Sequence, residues 1–137
     1  QVRSGALGLG ELAVVNTYYL GLLENADDPK DRAARDAVGV IFPNQGDRGA
    51  HVNVSGAGIV KGAKNRPHAV ALLEFLTSKE VQAGYQKMTS EFAVAKGVEP
   101  EQLQKNWGSF KPDFTSLHEL AEHQEEAVKI FDLAGWK

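Results

Sequence analysis

The sequence Leu12-Ala-Val-Val-Asn-Thr-Tyr-Tyr-Leu-Gly21 joins an apolar segment to a polar pair and two adjacent tyrosines. Residues 12–15 show no alternation of polar and apolar side chains, which predicts a strand of a parallel sheet covered on both faces. Asn16 and Thr17 are helix N-cap types, and the apolar residues after them predict a packed helix. The segment therefore predicts an α/β fold in which a helix begins where a strand ends.

Tyr18 and Tyr19 are candidate metal ligands because of their position. Open α/β sheets bind ligands at the carboxyl ends of their strands, and helix N-termini favour anions. The same field helps a phenol to ionise, and phenolate is a hard oxygen donor that suits Fe(III). Successive residues in a first helical turn lie about 100° apart, so both rings can converge on one ion. The alternative is that the two rings only pack in the core or at its rim.

Composition narrows the range of functions. The chain carries 15 Lys and Arg against 18 Asp and Glu, which argues against nucleic acid as a partner. It has no cysteine, so disulfides and thiolate metal sites are ruled out. The 137 residues suit one domain, and no apolar run approaches the length of a membrane span. Residues 1–5 lack the pattern of a signal peptide.

Further elements are predicted along the chain from cap, turn and apolar patterns. Apolar segments predict strands at residues 38–42, 50–54 and 59–61. A hinge is predicted in the turn at 43–49. Helices are predicted at 30–37 after Asp28-Pro29, from Asn65, from a capping box at 77–80 through Met88, at 101–106, and from a capping box at 116–119 to Gly135.

His118 and His123 form the only other metal-like pattern in the sequence. A zinc-protease helix needs histidines four residues apart. These two are five apart, which places them about 140° from each other around a helix. We therefore interpret this helix as a solvated, charged face.

Four segments of the sequence are informative when taken together, namely Val14–Gly21, Ser55–Gly62, Asn65–Gln82 and Ala127–Lys137. They resemble the C-terminal part of bacterial ferric-iron-binding proteins, the periplasmic receptors of iron-uptake ABC importers. The resemblance spans nearly the whole chain, with the order and spacing of the segments kept, whereas Glu91–Lys96 departs from the family pattern. The start of the chain, which reads as if inside a helix, and the greater length of family members predict a single C-terminal portion, residues 1–137.

The resemblance implies part of a two-lobed periplasmic-binding-protein type II fold, of α/β class, with mixed sheets flanked by helices. It places residues 1–48, with the tyrosine site, in the second lobe. Residues 49–98 would return to the first lobe, and residues 99–137 would form the C-terminal segment of the second lobe. The partners implied are an inner-membrane ABC permease and either the missing N-terminal half or a second copy joined by segment exchange.

The resemblance also implies a function, which is Fe(III) binding in the periplasm without catalysis. Tyr18 and Tyr19 match the adjacent tyrosine ligands of the family. Asn16 matches a residue near the synergistic anion, either phosphate or carbonate, that completes the coordination. The remaining ligands of the family come from the N-terminal lobe.

Two other classes of function stay open at this stage. One is a receptor portion for another small ligand, such as a polyamine, thiamine or another anion, against which the adjacent tyrosines argue. The other is a folded fragment whose site is incomplete and does not bind. An enzyme is the weakest interpretation, because no nucleophile–base pair or cofactor loop is present in the sequence.

Overall fold

A computed structural model describes residues 1–136, which divide into two compact units. The first unit combines Gln1–Ile41 with Asn53–Ser109, and the second combines Phe42–Val52 with the chain from Phe110 onward. None of the helices in residues 1–136 has the length and apolar character needed to cross a membrane. The described chain contains eight α-helices: α1 Val2–Ala6, α2 Tyr18–Glu24, α3 Pro29–Asp36, α4 Arg66–Leu76, α5 Lys79–Thr89, α6 Gln102–Asn106, α7 Leu117–Glu122 and α8 Gln124–Leu133.

The predicted mixed sheets are not present in residues 1–136, where none of the segments predicted as strands belongs to a β-ladder. One isolated parallel bridge joins Ala50 and Pro112. A strand needs a neighbour whose N–H and C=O groups complete its hydrogen bonds, and an apolar sequence supplies only the side chains. The expected burial of both faces of residues 12–15 is also wrong, since Leu12 is 85% exposed and Val14 is 83% exposed.

Two helix starts, those of α3 and α7, follow the predicted cap chemistry, and the start of α6 carries a capping box that was not predicted. At α3, Asp28 Oδ1 accepts a hydrogen bond of 2.9 Å from the Lys30 N–H, and Pro29 is the first helical residue. At α6, a capping box joins Glu101 and Gln104. At α7, Ser116 Oγ accepts a hydrogen bond of 3.1 Å from the backbone N–H three residues later. The positions of these helices are therefore confirmed.

Other predicted helix ends are wrong in detail. The capping box predicted at 77–80 does not form. The N-cap of α5 is Ser78, one residue later than predicted, and its Oγ accepts from the Val81 N–H at 3.4 Å. Thr77 instead belongs to the end of α4, where its hydroxyl donates to the Leu73 carbonyl at 2.8 Å. The predicted last helix is divided into α7 and α8 at His123.

The first unit places α2 against α3 and α5, with Leu20 and Leu23 buried. Helix α1 packs on α3, where the Arg3 guanidinium donates to both carboxylate oxygens of Asp31 at 2.5 and 2.6 Å. Bidentate pairs of this kind fix orientation as well as distance. Helix α2 therefore packs against α5 and against α3, and α3 is in turn fixed to α1.

Glutamine side chains anchor the loop that departs from the family pattern. Gln82 Oε1 accepts from the Val94 N–H and Gln86 Oε1 accepts from the Ala93 N–H, both at 3.1 Å. Gln86 Nε2 donates to the Glu99 carbonyl at 2.6 Å. Because the loop has no ladder partners of its own, these side chains satisfy its backbone groups.

In the second unit, two backbone segments meet at the Ala50–Pro112 bridge. The Ala50 N–H donates to the Lys111 carbonyl at 2.8 Å, and the Asp113 N–H donates to the Ala50 carbonyl at 2.8 Å. A methyl group on Gly49, whose φ is +107°, would lie 2.6 Å from the Lys111 carbonyl oxygen. Glycine is therefore required where the two segments meet.

The end of α8 confirms Gly135 as the predicted stop. Gly135 has φ +64°, and the Trp136 N–H donates to the Phe131 carbonyl at 3.0 Å. The Gly135 N–H donates to the Asp132 carbonyl at 3.1 Å, and the Phe131 and Trp136 rings lie 6.3 Å apart. These are the two hydrogen bonds and the apolar contact of a Schellman motif.

Candidate functional site

The two tyrosines predicted as metal ligands are the first two residues of α2. Their ring centroids lie 4.4 Å apart, with an angle of 37° between the ring planes. Tyr19 is 45% exposed, and Tyr18 is half-buried. The structure thus brings together the two side chains that the sequence singled out, with their rings on one side of the helix start.

Electrostatics couple the two phenols. The hydrogen bond between Tyr19 and Tyr18 raises the pKa of Tyr19 above its ordinary value, and the charge of a neighbouring phenolate raises it further. Two adjacent phenolates repel each other, so the pair holds on to a proton in the absence of a cation. A highly charged cation can displace that proton, because it neutralises the repulsion that keeps the proton in place.

Asn16 and Thr17 precede the tyrosine pair, but the predicted side-chain cap does not form. Thr17 occupies the N-cap position with φ −61° and ψ −30°, and no side-chain hydrogen bond caps the helix there. A capping hydroxyl normally needs an extended backbone at that position, which explains the difference. The Asn16 carbonyl accepts a hydrogen bond of 3.2 Å from the Tyr19 N–H, and the exposed Asn16 side chain lies beside the pair in sequence.

The histidines of the C-terminal helices lie on an exposed surface, as predicted. His118 pairs with Glu122 at 3.5 Å, and His123 pairs with Glu126 at 3.8 Å. No group of three or more His, Cys, Asp or Glu side chains within residues 1–136 is placed to hold a metal ion. The tyrosine pair therefore remains the candidate site.

A sequence model of the family described as "Bacterial extracellular solute-binding protein" matches residues 7–112. The chain belongs to this family. Two curated family relatives come from Synechocystis sp. and cover the whole chain. Iron uptake protein A1 is 44% identical, and the chain spans 38% of its length. Iron uptake protein A2 is 36% identical, and the chain spans 40% of its length.

The backbone of this chain is also similar to those of solved structures. The Trichodesmium IdiA (FutA) protein in complex with iron and citrate matches with a TM-score of 0.94 at 40% identity. The ferric binding protein of Campylobacter jejuni matches with a TM-score of 0.89 at 41% identity. Apo FutA2 of Synechocystis matches with a TM-score of 0.90 at 36% identity. Each match covers all of this chain and 43%, 43% and 44% of the respective solved chain.

These comparisons confirm the resemblance to the ferric-iron-binding proteins. The solved relatives have the type II binding-protein fold, and this chain follows part of it. The extracellular solute-binding family also supports a location outside the cytoplasm. Its members are described as solute-binding proteins and not as enzymes, in agreement with the expectation from the sequence.

Proposed function

We propose that this chain is part of an Fe(III) receptor of a bacterial ABC-type iron importer, and that Tyr18 and Tyr19 bind the metal as phenolates. The observation that carries the proposal is the pair of rings, 4.4 Å apart at the start of α2. The names of the relatives support it, since they are iron uptake proteins and ferric binding proteins. Phenolate oxygens are hard donors, and Fe(III) is a hard cation.

The chemistry of binding follows from the proton held by the pair. Fe(III) would replace that proton and neutralise the repulsion between the two phenolates. Two phenolates leave coordination positions open on an ion that accepts more than two ligands. We propose that an anion, phosphate or carbonate, fills part of this gap next to Asn16. The citrate in the Trichodesmium structure is an anion of a different kind that accompanies iron in a relative.

The cellular setting proposed is the periplasm, with an inner-membrane ABC permease as partner. The match to the extracellular solute-binding family and the iron uptake proteins among the relatives support this setting. Further iron ligands would come from a part of the receptor outside residues 1–137. The assignment of residues 1–48 and 99–137 to the second lobe, and of 49–98 to the first, stays a prediction.

A visible-absorbance titration with ferric citrate tests the tyrosine assignment. Tyrosinate bound to Fe(III) has a charge-transfer band that free phenol lacks, so the band reports the ligand directly. We expect the band in the wild-type chain and its loss in the double variant Tyr18→Phe, Tyr19→Phe, which keeps both rings. Tyr85→Phe is the matched control, because Tyr85 is an exposed tyrosine on α5. Undiminished iron binding by the double variant would refute the assignment.

A further inference from the structure

Helix α2 approaches the end of α5 at Gly21. A glycine is unusual in the interior of a helix. A methyl group on Gly21 would lie 2.1 Å from Ser90 Cβ and 2.2 Å from Ser90 Oγ. No two side chains tolerate such distances, so only glycine allows this approach. Glycine destabilises a helix interior by about 1 kcal/mol relative to alanine, which means that the contact offsets a loss of intrinsic helix stability.

Ser90 is held firmly on its side of the contact. It is 8% exposed and ends α5 in a left-handed conformation, with φ 59° and ψ 18°. Its N–H donates to the Gln86 carbonyl at 2.9 Å, and its carbonyl accepts from Gln104 Nε2 at 3.2 Å. Because its N–H and its carbonyl are both hydrogen-bonded, Ser90 is fixed in position where α2 packs against it.

Helix α2 depends on its packing against α5, because it is too short to be stable alone. It has seven residues, and isolated helices shorter than about 12 residues are marginal in water. Gly21 lies one helical turn after Tyr18, in the middle of the helix. Its carbonyl accepts a hydrogen bond of 3.0 Å from Asn25 Nδ2, which ties the same residue to the end of α2. The tyrosine-bearing turn is therefore held in place by packing against α5.

We propose that Gly21 and Ser90 are positioning residues for the tyrosine pair, an inference that rests on the proposed role of Tyr18 and Tyr19 as iron ligands. The contact holds the first turn of α2 in its helical form, so the two phenolates meet the metal without first being ordered. Preorganised ligands bind more tightly, because the ordering entropy is not taken from the binding energy.

A size exchange across the contact tests this role. Gly21→Ala creates the clash, and we expect it to weaken iron binding by about tenfold, or ~1.4 kcal/mol. Ser90→Gly removes the side chain that clashes, and glycine suits the left-handed backbone at that position. In the double variant, the new methyl group would lie 3.6 Å from the Cα of residue 90, an ordinary van der Waals contact. We expect the double variant to recover the wild-type affinity.

Gly108→Ala separates positioning from general stability. Gly108 lies in the first unit with φ +84° and has no atom within 4 Å of an added methyl group, so its replacement introduces backbone strain alone. We expect this control to lower the thermal midpoint while the affinity measured by the charge-transfer band stays unchanged. All variants are titrated with ferric citrate below their thermal midpoints.

The outcomes distinguish the two proposals. Wild-type affinity in Gly21→Ala, or an equal loss in Gly108→Ala, would overturn the positioning role while leaving the tyrosine assignment intact. If Gly21→Ala does not fold, the double variant decides, since a folded double variant with weak iron binding also contradicts the role. A wild-type chain without the band would overturn the proposed function, and the positioning role would fall with it.

Discussion

Replacing Gln104 with alanine is expected to destabilise the first unit strongly. Gln104 is 1% exposed, although it is polar. Its Nε2 donates to the carbonyls of Ser90 and Glu91, at 3.2 and 2.8 Å. Its Oε1 accepts a hydrogen bond of 2.8 Å from the Glu101 N–H. One side chain thus satisfies the end of α5, the following loop and the start of α6.

The magnitude follows from these three hydrogen bonds. Each contributes about 1 kcal/mol net, which gives a loss of about 3 kcal/mol in the free energy of unfolding. Backbone groups left without a partner in a dry site would add to this value, whereas water entering the vacated space would reduce it. A loss of about 3 kcal/mol is large beside a total stability of about 5–15 kcal/mol.

Urea unfolding monitored by tryptophan fluorescence measures this loss, because Trp107 is the C-cap residue of α6. Gln102→Ala is the matched control, since Gln102 is an exposed glutamine of the same helix that donates to Asn106 Oδ1 at 2.9 Å. We expect the control to change the free energy of unfolding by less than about 0.5 kcal/mol. Equal changes for the two variants would refute the assignment of a central role to the buried side chain.

Iron affinity is expected to fall as the pH is lowered from about 8 to 5, because protons compete with the metal for the phenolates. The raised pKa of Tyr19 keeps its ring protonated throughout this range without metal, and an affinity that is constant in competition titrations would contradict phenolate ligation. The isolated 137-residue chain is expected to associate, because Leu12, Val14 and Phe75 leave large apolar surfaces exposed. Light scattering that gives a concentration-independent monomer would contradict this expectation and the lobe boundaries on which it rests.

Helix starts with a local chemical cause could be predicted from the sequence. The interaction of Asp28 with the Lys30 N–H and that of Ser116 with the Glu119 N–H each lie within four residues, so they do not depend on a distant segment. The error at Thr77 and Ser78 arose because both are good cap residues. The choice between them depends on where α4 ends, which the local pattern does not specify.

The strands could not be predicted correctly, because pairing is not a local property. Residues 12–15 and 38–42 are apolar enough for buried strands, but a ladder requires backbone groups from another segment. Within residues 1–136 only Ala50 and Pro112 form a bridge of this kind. The same limit applies to the contact of Gly21. The sequence shows a glycine inside a predicted helix, but it does not show that Ser90, 69 positions later, packs against it.

The tyrosine pair was accessible from sequence because its two members are adjacent and share a helix start. Helix geometry places the two side chains about 100° apart, whereas the 4.4 Å between their ring centroids is known only from the structure. The elements that support the pair were not accessible. Gln104 reaches Ser90 across 14 positions of sequence, and no pattern marks that contact in advance.

The meeting of two segments in the second unit has a consequence for the order in which the protein is made. The side chain of Gln45 bonds to the backbone of Lys111, 66 positions later in the chain, with its Oε1 accepting from the N–H at 2.7 Å. A ribosome that adds about 5–20 residues per second needs roughly 3–13 s to synthesise that interval. During this time residues 42–52 have been synthesised, but the segment that begins at Phe110 has not. Residues 53–109, which complete the first unit, are made in the same interval. We therefore expect the second unit to close last during synthesis, although its first segment is made early.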